Sequence, residues 1–237
     1  MVFCFLSMPI SAWAEVDEIN LYFDQQGKPY DYKLWERKGK FEQKTFEVGF
    51  RLLNSSEVKN RVAFSVYEKN NLINAYAFWL SSNVIVTEEM FSYIDNDDEL
   101  AALLAHEIGH IQQYDSIKTF CIKMIDIPNF TSKHYEHDAD KRGVDLMANA
   151  GYNPLAMITF FNKLSHEDHW FIRKLDKIFW FQSHPTGTKR LAKIYNHILI
   201  NYPQFITKGY DNPYYANFLM NAEKDENIKK IKDKHDL

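Results

Sequence analysis

The stretch from residue 103 to residue 111 carries two histidines, His106 and His110, with Glu107 directly after the first. Residues four apart on an α-helix lie one turn apart on the same face, so both imidazoles can hold a single metal ion. Apolar residues flank these three groups, and a buried helix does not carry them unpaired, because their desolvation would be costly. This H-E-x-x-H pattern predicts a zinc hydrolase in which Glu107 accepts a proton from the attacking water.

The third metal ligand is expected downstream, because a catalytic zinc site needs three protein ligands and one open position. On a helix, Glu136 and Asp140 lie on one face. Glu136 can then bind the metal while Asp140 accepts a hydrogen bond from a ligating histidine and fixes its tautomer. His137 lies about 100° away around the helix and remains a rival ligand for this position.

Length and composition favour a single folded catalytic domain with extensions. The chain has 237 residues, of which 46% are hydrophobic and 16% aromatic, and this composition argues against disorder. The net charge of -4 gives no electrostatic support for nucleic-acid binding, so no nucleic-acid partner is predicted.

The N-terminus has the pattern of a signal peptide. Residues 2–10 are an apolar run too short to span a bilayer, and Ala12 and Ala14 then form a signal-peptidase cleavage pattern. The sequence therefore predicts a periplasmic or secreted protein with residues 1–14 removed, and a buried N-terminal segment is the alternative. The remaining chain is predicted to divide into an N-terminal extension and helix at 15–60, a catalytic domain at 61–200 and a C-terminal extension at 201–237.

Hydrophobic periodicity predicts an α+β fold that is mainly helical and contains a small mixed sheet. Asn96 and Glu99 form a capping pattern at the start of the helix that carries His106. Cys121 lies in an apolar stretch and is interpreted as a packed core thiol. Strands are predicted at 62–67, 75–78 and 84–87, and further helices at 41–58, 88–93, 115–125 and 132–149, after Pro154 and after Pro185.

Four motifs, in the same order along the chain, resemble a family of zinc metallopeptidases that includes HtpX, the mitochondrial Oma protease and the CAAX prenyl proteases. Two of them are the H-E-x-x-H motif and Glu136-x-x-Ala139-Asp140. The others are the strand Asn74-Ala75-Tyr76-Ala77 and His184-Pro185 with Arg190, which is similar to a late H-P-x-x-x-x-R motif of that family. The sequence shows no transmembrane helices, so it resembles the soluble periplasmic members more than HtpX. In this chain, Trp79-Leu80-Ser81-Ser82 stands where the family usually has a glycine-rich turn after the strand.

The resemblance implies a zincin-like (gluzincin) fold and endopeptidase activity. It implies that His184 stabilises the oxyanion, with Arg190 either orienting His184 or neutralising Asp140. The strand at residues 74–77 is then expected to be an edge strand that lines the substrate groove and holds peptide by β-augmentation, and a plain core strand is the alternative. One Zn²⁺ per chain is expected on His106, His110 and Glu136.

The predicted function is an exported zinc endopeptidase that hydrolyses polypeptide substrates among envelope proteins, in protein quality control. Peripheral association with the membrane or with envelope proteins is a further expectation. One alternative is a chaperone or adaptor that binds chains in the groove with little cleavage, although binding alone needs no general base such as Glu107. Another is a different H-E-x-x-H hydrolase such as a deformylase, which would need a cysteine ligand near a strand, unlike Cys121 in its apolar stretch.

Overall fold

The computed structural model of the chain describes residues 39–56, 58, 62–67, 72–78, 82–113, 130–167, 184–207 and 210–224. Most of these residues are helical, and a small sheet lies among them. The strands are β1 (Ala63–Tyr67), β2 (Ala75–Phe78) and β3 (Asn83–Thr87). The helices are α1 (Lys40–Asn54), a 3-10 helix (Glu88–Tyr93), α2 (Asp97–Gln113), α3 (Phe130–Asn149), α4 (Leu155–Glu167), α5 (Thr188–Asn201), α6 (Pro203–Thr207) and α7 (Pro213–Lys224).

The mainly helical fold with a small mixed sheet is confirmed. The three strands lie where β-branched and aromatic residues predicted them. Helix α3 ends before Gly151, whose φ of 75° favours a residue without a side chain. The helix predicted at 115–125, Cys121 and the signal peptide lie outside the described residues. Within the described ranges, every helix is too short or too polar to cross a bilayer.

The sheet has the order β1-β3-β2, so β2 forms one edge of it within the described chain. Strand β3 runs parallel to β1 and antiparallel to β2. The Thr87 N–H donates to the Asn74 carbonyl oxygen, which makes these two residues a hydrogen-bonded pair. Because such pairs alternate along an antiparallel ladder, Ala75 and Ala77 direct their backbone N–H and C=O groups away from β3. Helix α2 contacts this strand, so its free edge lies beside the helix that carries the H-E-x-x-H motif.

Side chains at the start of α2 fix where this helix begins. The Asn96 side-chain oxygen accepts a hydrogen bond from the Glu99 N–H at 3.0 Å, and the Glu99 carboxylate accepts one from the Asp95 N–H at 3.0 Å. This is the predicted capping pattern, except that the Glu99 side chain bonds to Asp95, the residue before the capping Asn96. The buried Lys163 on α4 donates to both Asp95 and Glu99, which pairs the buried Glu99 carboxylate and ties α2 to α4.

Helices α2 and α3 approach each other closely at two glycines. A Cβ atom on Gly109 would lie 2.7 Å from the Ala139 carbonyl oxygen and 3.0 Å from its Cα. A Cβ atom on Gly143 would lie 3.2 Å from the backbone nitrogen of His106. These neighbours are backbone atoms, which cannot rotate away. The absence of a side chain at both positions therefore sets the distance between the two helices that carry the predicted metal ligands.

We expect Gly109→Ala to destabilise the fold, because the new methyl group meets the Ala139 backbone. The overpacking cost of about 1–3 kcal/mol exceeds the gain of up to about 1 kcal/mol in helix propensity. Urea unfolding of the purified protein measures the difference. Gly187→Ala controls for the added methyl group, because nothing lies within 4 Å of its Cβ position, and as the N-cap of α5 it is expected to lose at most about 1 kcal/mol. A Gly109→Ala protein as stable as the wild type would contradict the tight contact.

Candidate metal centre

Four side chains from three segments converge at the contact between α2 and α3. His106 and His110 come from α2, Glu136 comes from α3, and His184 lies just before α5. One ligand atom from each of these buried residues lies within 4.8 Å of every other, and together they could hold a metal ion. The Nε2 atom of His106 lies 3.1 Å from His110 Nε2 and 3.2 Å from His184 Nδ1.

The Glu136 carboxylate faces all three imidazoles. Its oxygens lie 3.2 Å from His110 Nε2, 3.1 Å from His184 Nδ1 and 3.5 Å from His106 Nε2. Burial alone would raise the pKa of Glu136, but the nearby His184 and hydrogen bonds with the histidines hold that pKa well below its usual range. An ionised carboxylate and imidazole nitrogens facing a common point are the donor set that zinc prefers. The chemistry of the residues therefore fits a zinc ion.

His137, the rival third ligand, does not take part in this cluster. Its half-buried side chain lines a separate cavity with Lys141 and Lys193. The structure thus brings Glu136 to the two histidines of α2 and places His137 elsewhere, as the helical geometry of α3 requires. The assignment of Glu136 as a metal ligand stays a prediction that metal analysis can test.

Asp140 and Arg190 form a paired charge behind His106. An Asp140 oxygen lies 3.0 Å from His106 Nδ1, and Arg190 donates to both Asp140 oxygens at 2.7 and 2.8 Å. Burial would raise the pKa of Asp140, but the Arg190 charge lowers it, so the carboxylate stays ionised. A carboxylate on Nδ1 leaves Nε2 of His106 facing the cluster, which is the orienting role predicted for Asp140. Of the two roles expected for Arg190, this geometry favours neutralisation of Asp140.

Arg190 also contacts Glu136, at 3.0 Å between Nη1 and the carboxylate. One guanidinium therefore contacts the carboxylates of both α3 residues that face the histidines. Burial lowers the pKa of His106, but hydrogen bonds with Asp140 and Glu136 raise it to about 9. A metal ion on His106 must displace the corresponding proton, so metal binding at this centre releases protons.

Glu107 is completely buried, and within the described residues neither of its carboxylate oxygens has a hydrogen-bond partner. Burial raises its pKa to about 7, against the lowering effects of nearby His106 and of the Ala77 backbone. A carboxylate with a pKa near neutrality can both accept and return a proton. The Glu107 environment therefore suits the general base predicted from its place in the H-E-x-x-H motif.

The structure places His184 among the candidate metal ligands, which its expected role in stabilising an oxyanion did not specify. It was expected to stabilise an oxyanion, whereas its Nδ1 atom lies among the candidate metal ligands and its Nε2 atom lies 3.6 Å from a Glu107 oxygen. Burial lowers the pKa of His184 to about 3, so its imidazole is neutral and can offer a lone pair. Four ligands complete a tetrahedral zinc site, whereas a catalytic site keeps one position open. An oxyanion role for His184 therefore requires Nδ1 to leave the ligand position.

The strand at residues 74–77 contacts α2 beside Glu107. The Ala77 backbone is near enough to lower the pKa of Glu107, which puts the free edge of β2 next to the general base. Asn74 is bonded to Thr87 through its backbone, and Tyr76 lies opposite Ile85 in the sheet. Ala75 and Ala77 are thus the members of this motif whose backbone groups are directed to the free edge.

Comparison with known proteins gives one matching family and several similar proteins, two of which represent the set. The family model of peptidase family M48 matches residues 42–131 and 122–198 of the chain. The Beta-barrel assembly-enhancing protease of Yersinia pestis is 27% identical over 187 residues, which cover 63% of this chain and 37% of that protein. The protein of the same name from Escherichia coli K12 is 26% identical over 186 residues, with the same coverage. The chain thus spans little more than a third of the length of these relatives.

We expect Glu136→Gln to lose bound zinc, because an amide oxygen is a much weaker zinc ligand than a carboxylate. The measurement is the zinc content of purified protein by elemental analysis, at equal protein concentration. His137→Gln is the matched control on the adjacent residue, and it is expected to retain its zinc. If Glu136→Gln retained all its zinc and His137→Gln lost it, the third metal ligand would be His137 and not Glu136.

Proposed function

Because the chain belongs to peptidase family M48, we propose that it is a zinc-dependent endopeptidase with its active site at the contact between α2 and α3. The observation that supports this proposal is the buried convergence of three metal-ligand side chains beside the buried carboxylate of Glu107. His106, His110 and Glu136 present their donor atoms to one point, and Glu107 lies next to them with neither oxygen hydrogen-bonded in the described chain. A binding protein has no use for such a costly buried group.

In the proposed reaction, each residue of the site has a distinct task. His106, His110 and Glu136 hold one Zn²⁺, which supplies a Lewis acid that acidifies water and polarises the scissile carbonyl. Glu107 accepts the proton of the attacking water and delivers it to the leaving amine, and its raised pKa suits both transfers. Asp140 holds His106 in the tautomer whose Nε2 faces the centre.

The free edge of β2 is the proposed binding surface for substrate backbone. Ala77, which is partly exposed, can exchange hydrogen bonds with an extended peptide, as an added strand does at a sheet edge, whereas Ala75 is fully buried. The Ala77 contact with Glu107 would place the peptide backbone beside the general base. Main-chain recognition depends little on side chains, so this mode fits an enzyme that accepts many unfolded sequences.

We propose envelope proteins as the substrates and protein quality control as the role. The support is the similarity to relatives named as proteases that enhance β-barrel assembly, of which this chain spans only part. Export to the periplasm, or secretion, agrees with the sequence pattern at Ala12 and Ala14 and with this similarity. Peripheral association with the envelope belongs to the same proposal. A chaperone or adaptor remains the alternative, and Glu107 argues against it because binding chains requires no general base.

We expect Glu107→Gln to lose casein cleavage by about 10²–10⁴-fold, the usual contribution of a general base. The assay compares zinc-loaded wild type with the variant, and elemental analysis confirms that both hold the same amount of zinc. Glu88→Gln removes an exposed carboxylate outside the site and is the matched control. Equal cleavage by wild type and Glu107→Gln would exclude the proposed mechanism. Absence of cleavage in both, with zinc bound, would favour the chaperone alternative.

We expect His184→Ala to retain zinc but to lose about 10²–10³-fold in kcat with little change in KM, the loss typical of a removed oxyanion donor. Steady-state kinetics on a fluorogenic peptide, with zinc content measured in parallel, tests this expectation. A higher kcat in His184→Ala would instead show that the imidazole blocks the open metal position.

A further inference from the structure

Helices α3 and α5 border a cavity of about 210 Å³ that opens to solvent. Its lining consists of His137, Lys141, Lys193, Asn196, His197 and Ile200. The first two come from α3 and the other four from α5, so each helix contributes one lysine. Among the residues that the structure describes, no carboxylate lines the cavity. Neither the metal chemistry nor the proposed substrate edge uses any of these side chains.

Four of the lining groups are hydrogen-bond donors without an acceptor. Within the described residues, Lys141, Lys193, Asn196 and His137 form no side-chain hydrogen bond or ion pair. His197 differs, because its Nε2 atom lies 2.8 Å from the Asp145 carboxylate. The two lysines therefore present positive charge to one cavity from two helices, and the protein described here supplies no counter-charge in contact with them.

Two carboxylates of α3, Asp140 and Asp145, are already bound by side chains other than the two lysines. Arg190 binds both oxygens of Asp140, and His197 and Tyr202 both bind Asp145. The electrostatic environment at the wall of the cavity is therefore positive.

We infer that this cavity binds a phosphate group between Lys141 and Lys193. Lysine ammonium groups form short, charge-assisted hydrogen bonds with phosphate oxygens, and the Asn196 amide can add a neutral one. At roughly 30 Å³ for each water molecule, the cavity has room for a phosphate group and its remaining water. The bound group joins α3, which carries Glu136 and Asp140, to α5, which carries Arg190.

The phosphate group can come from a free anion or from an anionic lipid. Ile200 lines the same cavity with 54% of its surface exposed, so an apolar side chain lies in solvent next to the lysines. A phospholipid headgroup in the cavity would put its apolar part against Ile200. Inorganic phosphate would use the lysines alone, and the two sources are therefore distinguishable by experiment.

The first test is calorimetric titration of the zinc-loaded full chain with inorganic phosphate at constant ionic strength. We expect saturable binding that weakens about tenfold or more in Lys141→Gln/Lys193→Gln, the effect of losing a charged hydrogen-bond donor. Lys40→Gln/Lys189→Gln is the control, because it removes the same charge from two exposed lysines outside the cavity, one of them also on α5. Phosphate affinity unchanged by the cavity variant would place the anion elsewhere, for example at the zinc, and would overturn the inference.

The second test measures co-sedimentation with phosphatidylcholine vesicles, with and without phosphatidylglycerol. Binding that needs the anionic lipid and is lost in Lys141→Gln/Lys193→Gln, but not in the control, identifies a lipid headgroup as the source. Calorimetric binding without sedimentation identifies a free phosphate anion. If neither phosphate binding nor vesicle sedimentation is observed, or if the cavity variant and the control lose binding equally, these lysines are only solvated and the proposal is overturned.

Discussion

The contact between α2 and α3 at Gly109 and Gly143 is the constraint on which the rest of the structure depends. An added Cβ atom at either position would meet backbone of the other helix. Closely packed helix axes allow short carboxylate side chains on α3 to reach imidazoles on α2. The distances of 3.0–3.5 Å between Glu136 or Asp140 and the two histidines follow from this approach. The convergence of the candidate metal ligands at this point is thus made possible by two residues that have no side chain.

The close contact has an electrostatic cost that Arg190 offsets. Two buried carboxylates facing each other across a few ångströms would raise each other's pKa. The guanidinium from α5 contacts both, at 2.7 Å from Asp140 and 3.0 Å from Glu136. Breaking a buried pair of this kind typically costs about 3–5 kcal/mol, because the remaining charge is left uncompensated. Helix α5 is therefore part of the metal centre although none of its own residues is a candidate ligand.

Sequence patterns within one helix or strand predicted the features of that element, but they did not predict contacts between residues that are distant along the chain. The H-E-x-x-H spacing and the i, i+4 relation of Glu136 and Asp140 each refer to one helix, so helical geometry was enough to place them. The strands and the capping of α2 by Asn96 were predictable for the same reason. The resemblance placed His184 in the active site, but its contact with Glu136, which is 48 residues away, was not predicted, because no spacing rule links the two residues. The buried pairing of Lys163 with Glu99, 64 residues apart, was missed on the same ground.

The separation of these groups along the chain also determines when the candidate site can be completed during synthesis. Arg190 follows His106 by 84 residues. A ribosome that adds roughly 5–20 residues per second needs several seconds to cover that distance. In this interval the two histidines of α2 already exist, but the guanidinium that neutralises Asp140 does not. The candidate site is therefore complete only after α5 has been synthesised and has packed against α3.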